Sequence, residues 1–197
     1  MGKTTYSKKR NATRKKIESV FIENFRSSGD AELTVKEICE RADINRSTFY
    51  VYYRDTSDLR EQIENSLISQ FEERMASVLH QHFDDPDMIM IEIMEFNRKN
   101  AHLPLLLISA GSSSFVYRIS KAATEIIAGT QKLTDEGRDK ITMLFTYHFA
   151  GISMVMRQMM ENNPPSDESY ERMTKRLIEL ILPIVKNGLL PTIKDLS

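Results

Sequence analysis

The stretch from Thr34 to Leu59, TVKEICERADINRSTFYVYYRDTSDL, constrains this chain more than any other, because it reads as two short helices joined by a tight turn. Val35, Ile38, Cys39 and Ala42 recur at helical spacing and give the first segment one apolar face, with Lys36, Glu37, Glu40 and Arg41 outside. Asp43 breaks this helix, Ile44 is expected to plug the core, and Asn45 is suited to cap a second helix beginning at Arg46. There Phe49 and Tyr53 lie four apart and can share an inward face, leaving Arg46, Ser47, Tyr50 and Val51 on or near the other side. A pair of helices this close can hold its second member against a DNA groove, and an outer surface of Arg, Ser, Thr and Tyr suits a groove edge.

The same residues resemble the DNA-binding domain of TetR-family transcriptional regulators. Thr34 opens the first of the two helices, Ile38 follows four residues later, and Thr48-Phe49-Tyr50-Val51-Tyr52-Tyr53 matches the family's recognition-helix pattern, followed by Leu59. Asp43 stands where the family usually has Gly, and Asp tolerates a left-handed turn better than most residues, so the turn is expected to survive. Val51 stands where the family often has a ring. The resemblance implies an N-terminal three-helix helix-turn-helix domain and a larger C-terminal helical regulatory and dimerisation domain, all-α, with about nine helices. It also implies that Thr34 and Tyr50 hold phosphates, that Lys36, Arg46, Ser47 and Val51 face base edges, and that Arg54 and Thr56 touch the backbone. Asn45, Thr48 and Tyr52 complete the expected DNA-binding set.

Charge is sorted along the chain. The formal net charge is -1, yet residues 1 to 16 carry Lys3, Lys8, Lys9, Arg10, Arg14, Lys15 and Lys16 with no acid. Through residue 60 there are 13 basic against 9 acidic residues; the remainder has 14 against 19. Residues 1 to 10 are therefore read as a basic arm, 11 to 56 as the DNA-binding domain and 57 to 197 as the regulatory domain. A basic tail is often a solvated arm, but directly before such a helix pair it can lie on phosphates, where releasing counterions makes binding salt-dependent, or enter the minor groove.

With 197 residues, 41% hydrophobic, and only 7 Gly and 6 Pro, the chain can bury a good core in one large or two small domains. A single cysteine excludes a disulfide framework and suits a reducing cytoplasm. No apolar run approaches a membrane span and the N-terminus lacks a signal peptide's apolar region, so a cytoplasmic protein without membrane partners is expected.

The rest of the chain reads as helices. Ile17, Val20, Phe21, Asn24 and Phe25 give the first a buried stripe ending near Ser28-Gly29. Asp55 or Ser57 caps a long fourth helix with Leu59, Ile63, Leu67, Phe71, Met75 and Val78 on one side, broken by Asp84-Asp85-Pro86. Further helices are expected near 87 to 100, 104 to 110, 113 to 128, 135 to 162 and 167 to 187, with an acidic start at Thr134-Asp135-Glu136 and a stop at Asn187-Gly188.

The last two long helices have apolar faces too broad for a single-sided stripe, and two from each of two subunits could form a four-helix homodimer interface. Its expected members are Phe149, Gly151, Ile152, Val155, Met156 and Met159 on one helix and Met173, Leu177 and Ile181 on the other. The bland alternative is that both helices finish a monomer core. A palindromic operator read by two copies would multiply discrimination.

Ten of the eleven methionines fall from Met75 onward, and flexible thioethers adapt to varied apolar shapes, although methionine at helical spacing is more often core. His102, Tyr117, Arg118, Met143, Tyr147 and His148 are the candidates for a small-molecule effector site, by which family members shift the dimer between two arrangements.

Catalytic patterns are weak. Gly2-Lys3-Thr4 lacks the rest of a phosphate-binding loop, Gly111-Ser112-Ser113-Ser114 lacks a nucleophile elbow's second glycine, and His80 and His82 point to different sides of a helix. No cofactor, metal site or enzyme activity is expected. The sequence therefore reads as a homodimeric, sequence-specific DNA-binding regulator, and the resemblance to the TetR family implies a repressor released from DNA by a small molecule. Alternatives are a co-regulator or activator controlled by a protein partner, and a helical scaffold or enzyme that does not bind DNA.

Overall fold

A computed structural model describes residues 2–28, 33–100, 112–162 and 167–196, and among the described residues the secondary structure is helical, with no strand. The elements are α1 (Gly2–Ser28), α2 (Val35–Ala42), α3 (Arg46–Tyr50), α4 (Thr56–His82), α5 (Pro86–Lys99), α6 (Ser112–Thr130), α7 (Asp135–Asn162), α8 (Asp167–Ile184), a π-helical turn (Val185–Leu189) and α9 (Leu190–Asp195). The helix expected near 104 to 110 lies outside the described residues. The chain divides into two compact units, Met1–Ser66 and Leu67–Ser197.

In the first unit α1 packs on α2 and α2 on α3. Ile17 and Phe21 of α1, Leu33, Ile38, Cys39 and Ala42 around α2, Phe49 and Tyr53, and Leu59 and Ile63 of α4 are all buried. The α1 stripe includes buried Asn24, whose Oδ1 accepts a hydrogen bond from Arg41 Nη1 at 3.2 Å. Val20 is only half-buried, and the Phe25 side chain lies outside those described. α1 is helical from Gly2, so residues 2–10 are its opening turns. α4 starts as expected of an aspartate cap: the Asp58 amide donates to Asp55 Oδ1 at 2.8 Å. Its apolar line from Leu59 to Val78 is buried throughout.

In the second unit Asp85 caps α5 by accepting from the Met88 amide, with Pro86 in the first turn. Phe71 and Phe96 meet edge to face at 5.7 Å. α6 packs along α7, burying Phe115, Val116, Ile119, Ala122, Ala123, Ile126, Ile127 and Ile141. Polar residues inside this seam are satisfied locally: the Ser120 and Thr124 hydroxyls donate to carbonyls four residues back, and Thr124 and Thr142 hydroxyls lie 3.0 Å apart. The Thr134 hydroxyl accepts from the Gly137 amide at the start of α7.

Asn187-Gly188 does not end the helical run. Pro183 sits inside α8, where it can donate no hydrogen bond to the carbonyl four residues back. The backbone then widens into the π turn and continues as α9, burying Ile193. Lys186 pairs with Asp87 at 2.7 Å and Lys194 with Asp84 at 2.5 Å, which fastens this end to the start of α5. The Leu196 carbonyl lies 3.0 Å from where a Cβ on Gly137 would stand, so α9's end approaches the first turn of α7 too closely for a side chain there.

Candidate nucleic-acid interface

α2 is fixed at its start by a capping box. The Glu37 amide donates to Thr34 Oγ1, while the Thr34 amide and hydroxyl both donate to Glu37 Oε2 at 2.9 and 2.8 Å. These bonds hold the Glu37 carboxyl below its ordinary range, with Arg41 and Lys36 contributing less. Thr34 is exposed, but its hydroxyl proton and its amide are both engaged by Glu37. Thr34, which the family resemblance places at a phosphate, also serves as the cap of α2.

α2 ends in a left-handed residue, Asp43, with φ 52° and ψ 57°, the one positive-φ non-glycine residue among those described. Its amide reaches the Cys39 and Glu40 carbonyls, and the Ile44 amide donates to the Cys39 carbonyl at 3.0 Å. An aspartate therefore makes the turn where glycine is the commoner choice. Ile44 is half-buried rather than fully in the core. Asn45 occupies the cap position of α3 with extended backbone, yet its side chain makes no capping hydrogen bond. The cap rests on backbone bonds alone, from the Thr48 and Phe49 amides to the Asn45 carbonyl.

α3 divides sharply into two sides. Phe49 is fully enclosed, whereas Tyr50 is 57% and Val51 64% exposed; Tyr53, expected on the same helix as Phe49, lies three residues past its end but is still buried, with its ring 5.6 Å from that of Phe49. Arg46 and Ser47 are exposed beside them, Thr48 and Tyr52 are half-buried, and Arg54 is exposed at the following loop. Arg54 donates its amide to Asp58 Oδ2 at 2.8 Å, and its guanidinium lies 3.6 Å from the same carboxylate. These donors, the Arg54 amide first and then Gln62, hold the Asp58 carboxyl below its ordinary range. Thr56 is half-buried at the first position of α4.

Three residues of α1 brace the turn that follows α3: Arg10 and Arg14 of the basic run, and Glu18, which the sequence did not single out. Tyr53 Oη donates to Glu18 Oε1 at 3.0 Å, and Arg14 Nε donates to the same oxygen at 2.8 Å. Burial, followed by the Glu18 charge and hydrogen bond, pushes the Tyr53 hydroxyl well above its ordinary pKa, so it remains a donor. The Glu18 hydrogen bond likewise raises Arg14. The Arg10 guanidinium stands 6.0 Å above the Tyr52 ring, at the reach of a cation–π contact. The Arg14–Glu18 spacing is readable in sequence; the partner 35 residues away is not.

Between α2 and the start of α3 an open depression of about 450 Å³ is lined by Lys36, Cys39, Glu40, Asp43, Ile44, Asn45 and Arg46. Lys36 Nζ lies 3.8 Å from Glu40 Oε1. Burial raises the Cys39 thiol, the nearby Arg46 charge opposes that, and Glu40 adds to it. The depression thus combines cations, carboxylates and an amide whose side chain makes no cap bond.

The candidate effector residues differ in exposure. Tyr117, Met143 and Tyr147 are exposed, Arg118 and His148 are half-buried, and the His148 Nδ1–H donates to the Leu144 carbonyl at 2.7 Å; His102 lies outside the described residues. Of the candidate interface residues, Gly151 and Val155 are exposed and Phe149, Ile152 and Ile181 half-buried. The side chains of Met156, Met159, Met173 and Leu177 lie outside those described.

Set against known proteins, the chain matches no protein-family model and no curated protein. Among the described residues no helix is long and apolar enough to cross a membrane, and no group of three or more His, Cys, Asp and Glu could hold a metal ion.

Proposed function

We propose that this protein is a sequence-specific DNA-binding regulator of the TetR type that acts as a homodimer, with α3 as the reading helix. The observation that carries this reading is the two-sidedness of α3 and the turn after it: Phe49 and, beyond the helix, Tyr53 are buried as anchors, while Arg46, Ser47, Tyr50 and Val51 are exposed, and Tyr53 is tied to Glu18 of α1. A nonpolar anchor on one side with guanidinium, hydroxyls and a ring on the other is what groove docking requires. Arg46 is assigned to a base edge, and Lys36, Tyr50 and Arg54 to phosphates. Arg10 stands over Tyr52, which follows α3, so this cation of the basic α1 start lies next to the proposed reading unit.

Dimerisation is supported by an exposed apolar line on α7. Met143, Tyr147 and Met154 are 70%, 75% and 66% exposed at helical spacing, with exposed Ala150 and Gly151 between them. Release by a small molecule rests on the family resemblance.

A gel-shift assay using the chromosomal region upstream of the protein's own coding sequence tests the reading. Retarded fragments that compete out far better with themselves than with random DNA support it. Failure to bind any such fragment even at low ionic strength overturns it.

A further inference from the structure

Carboxylates are unusual on a surface offered to a polyanion. Glu40 and Asp43 nevertheless line the depression that also holds Lys36, Asn45 and Arg46. Glu40 is exposed, and its one ion pair among the described residues, to Lys36, is long and open to solvent at 3.8 Å. A carboxylate directed at phosphates would be repelled. Directed at base edges it meets one class of partner it can accept from, the exocyclic amines in the major groove, of which cytosine N4 suits Glu best. Arg46 on the same rim matches the complementary group, the O6 and N7 acceptors of guanine.

Within the proposed DNA-reading function, on which this rests, we infer that Glu40 is a specificity-determining residue that accepts a hydrogen bond from the N4 amine of a cytosine in each operator half-site, near a guanine taken by Arg46. Lys36 holds the carboxylate's charge in partial balance before DNA arrives. Asp43 is committed by its backbone to the turn and contributes negative potential, which raises the cost of any base offering only acceptors at that position. The depression thereby rejects as well as selects, since thymine and guanine edges would face a carboxylate with no donor between them.

Selection from randomised duplexes with the full chain tests this. The wild type should enrich cytosine at one position in each half-site. Glu40→Gln should shift that position toward adenine, which a glutamine amide reads, and Glu40→Ala should accept all four bases there while the other positions keep their preferences. Quantitative binding should show discrimination at that position falling on the order of tenfold in Glu40→Ala. Identical enriched sequences from all three proteins would overturn the assignment of Glu40 while leaving the DNA-reading function intact. A wild type that enriches no sequence would overturn both.

Discussion

α3 and α7 both carry exposed rings, but they expose them in different company. Around α3, Tyr50 and Val51 are set among Arg46, Ser47, Asn45 and Lys36, and the apolar residues Phe49 and Tyr53 are wholly taken up by the core. On α7 the exposed residues Met143, Tyr147, Ala150, Gly151 and Met154 form an apolar line with little polar relief. A mixed polar surface on a short, braced helix suits a partner that is itself polar and grooved. A long line of thioethers, one ring and small residues suits another helix. The contrast teaches that exposure alone says little; the neighbours of an exposed residue decide which kind of partner it fits.

The largest effect expected from breaking this contrast is at α3 itself. Phe49→Ala should destabilise the protein by ~3–5 kcal/mol, since it empties a fully enclosed site. Tyr50→Ala should stay within ~0.5 kcal/mol of wild type in the same urea titration and lose DNA binding instead. Equal costs would mean that α3 has no distinct inner and outer side. On α7, Met154→Asp or Tyr147→Glu should weaken self-association by ~3 kcal/mol by burying a charge in an apolar contact. Sedimentation velocity with circular dichroism as a folding control measures it, and a dimer that persists in both variants would detach the apolar line from self-association.

How much of this could be read in sequence depended on the range over which each feature is determined. The α4 line from Leu59 to Val78 was legible because a buried stripe needs only local periodicity. So was the Asp43 turn, because a left-handed residue is a property of its own side chain and backbone. Asn45 was legible as a position but not as a bond, for its side chain leaves the capping to backbone amides. The continuation past Asn187-Gly188 was hidden because Lys186, Lys194 and Ile193 are held by distant groups or by the core, which outweighs a local stop signal. On α7 the broad apolar face was legible, but its rotation was not: Ile141 is buried while Met143 and Tyr147 lie on the most exposed line. Periodicity gives the angle between residues, and only packing against α6 fixes which angle faces inward.

The bracing of α3 predicts a smaller effect. Tyr53→Phe removes the hydroxyl that donates to Glu18 but leaves Glu18 paired with Arg14, so a loss of ~1–2 kcal/mol is expected in urea unfolding. Tyr52→Phe, whose ring face toward Arg10 is unchanged, should cost less than half of that. A reversed order would show that the Tyr52 hydroxyl, rather than the Tyr53 bond to Glu18, carries the bracing.

The smallest effect distinguishes the two helix starts by how each holds its acid. Glu37 at α2 and Glu136 at α7 both titrate below their ordinary value of 4.5, but the first is lowered chiefly by the Thr34 amide and hydroxyl and the second by Lys140. In either case the folded protein binds fewer protons than the unfolded chain just below that value. The stabilisation is therefore complete above it and disappears as pH falls through the folded-state value. Glu37→Gln and Glu136→Gln should accordingly each show a shallower loss of thermal stability than wild type between about pH 6 and about pH 3. Salt separates them. The Lys140–Glu136 pair is exposed at 2.6 Å and should lose most of its contribution at high ionic strength, because mobile ions screen charge from charge. The Glu37 box is made by uncharged donors at hydrogen-bond distance, so its contribution should persist in the same buffer. If added salt erased the Glu37 difference as fully as the Glu136 one, α2 would be held at its start by the nearby cations Lys36 and Arg41. The rigidity ascribed to the α2–α3 surface would then belong to charge rather than to capping.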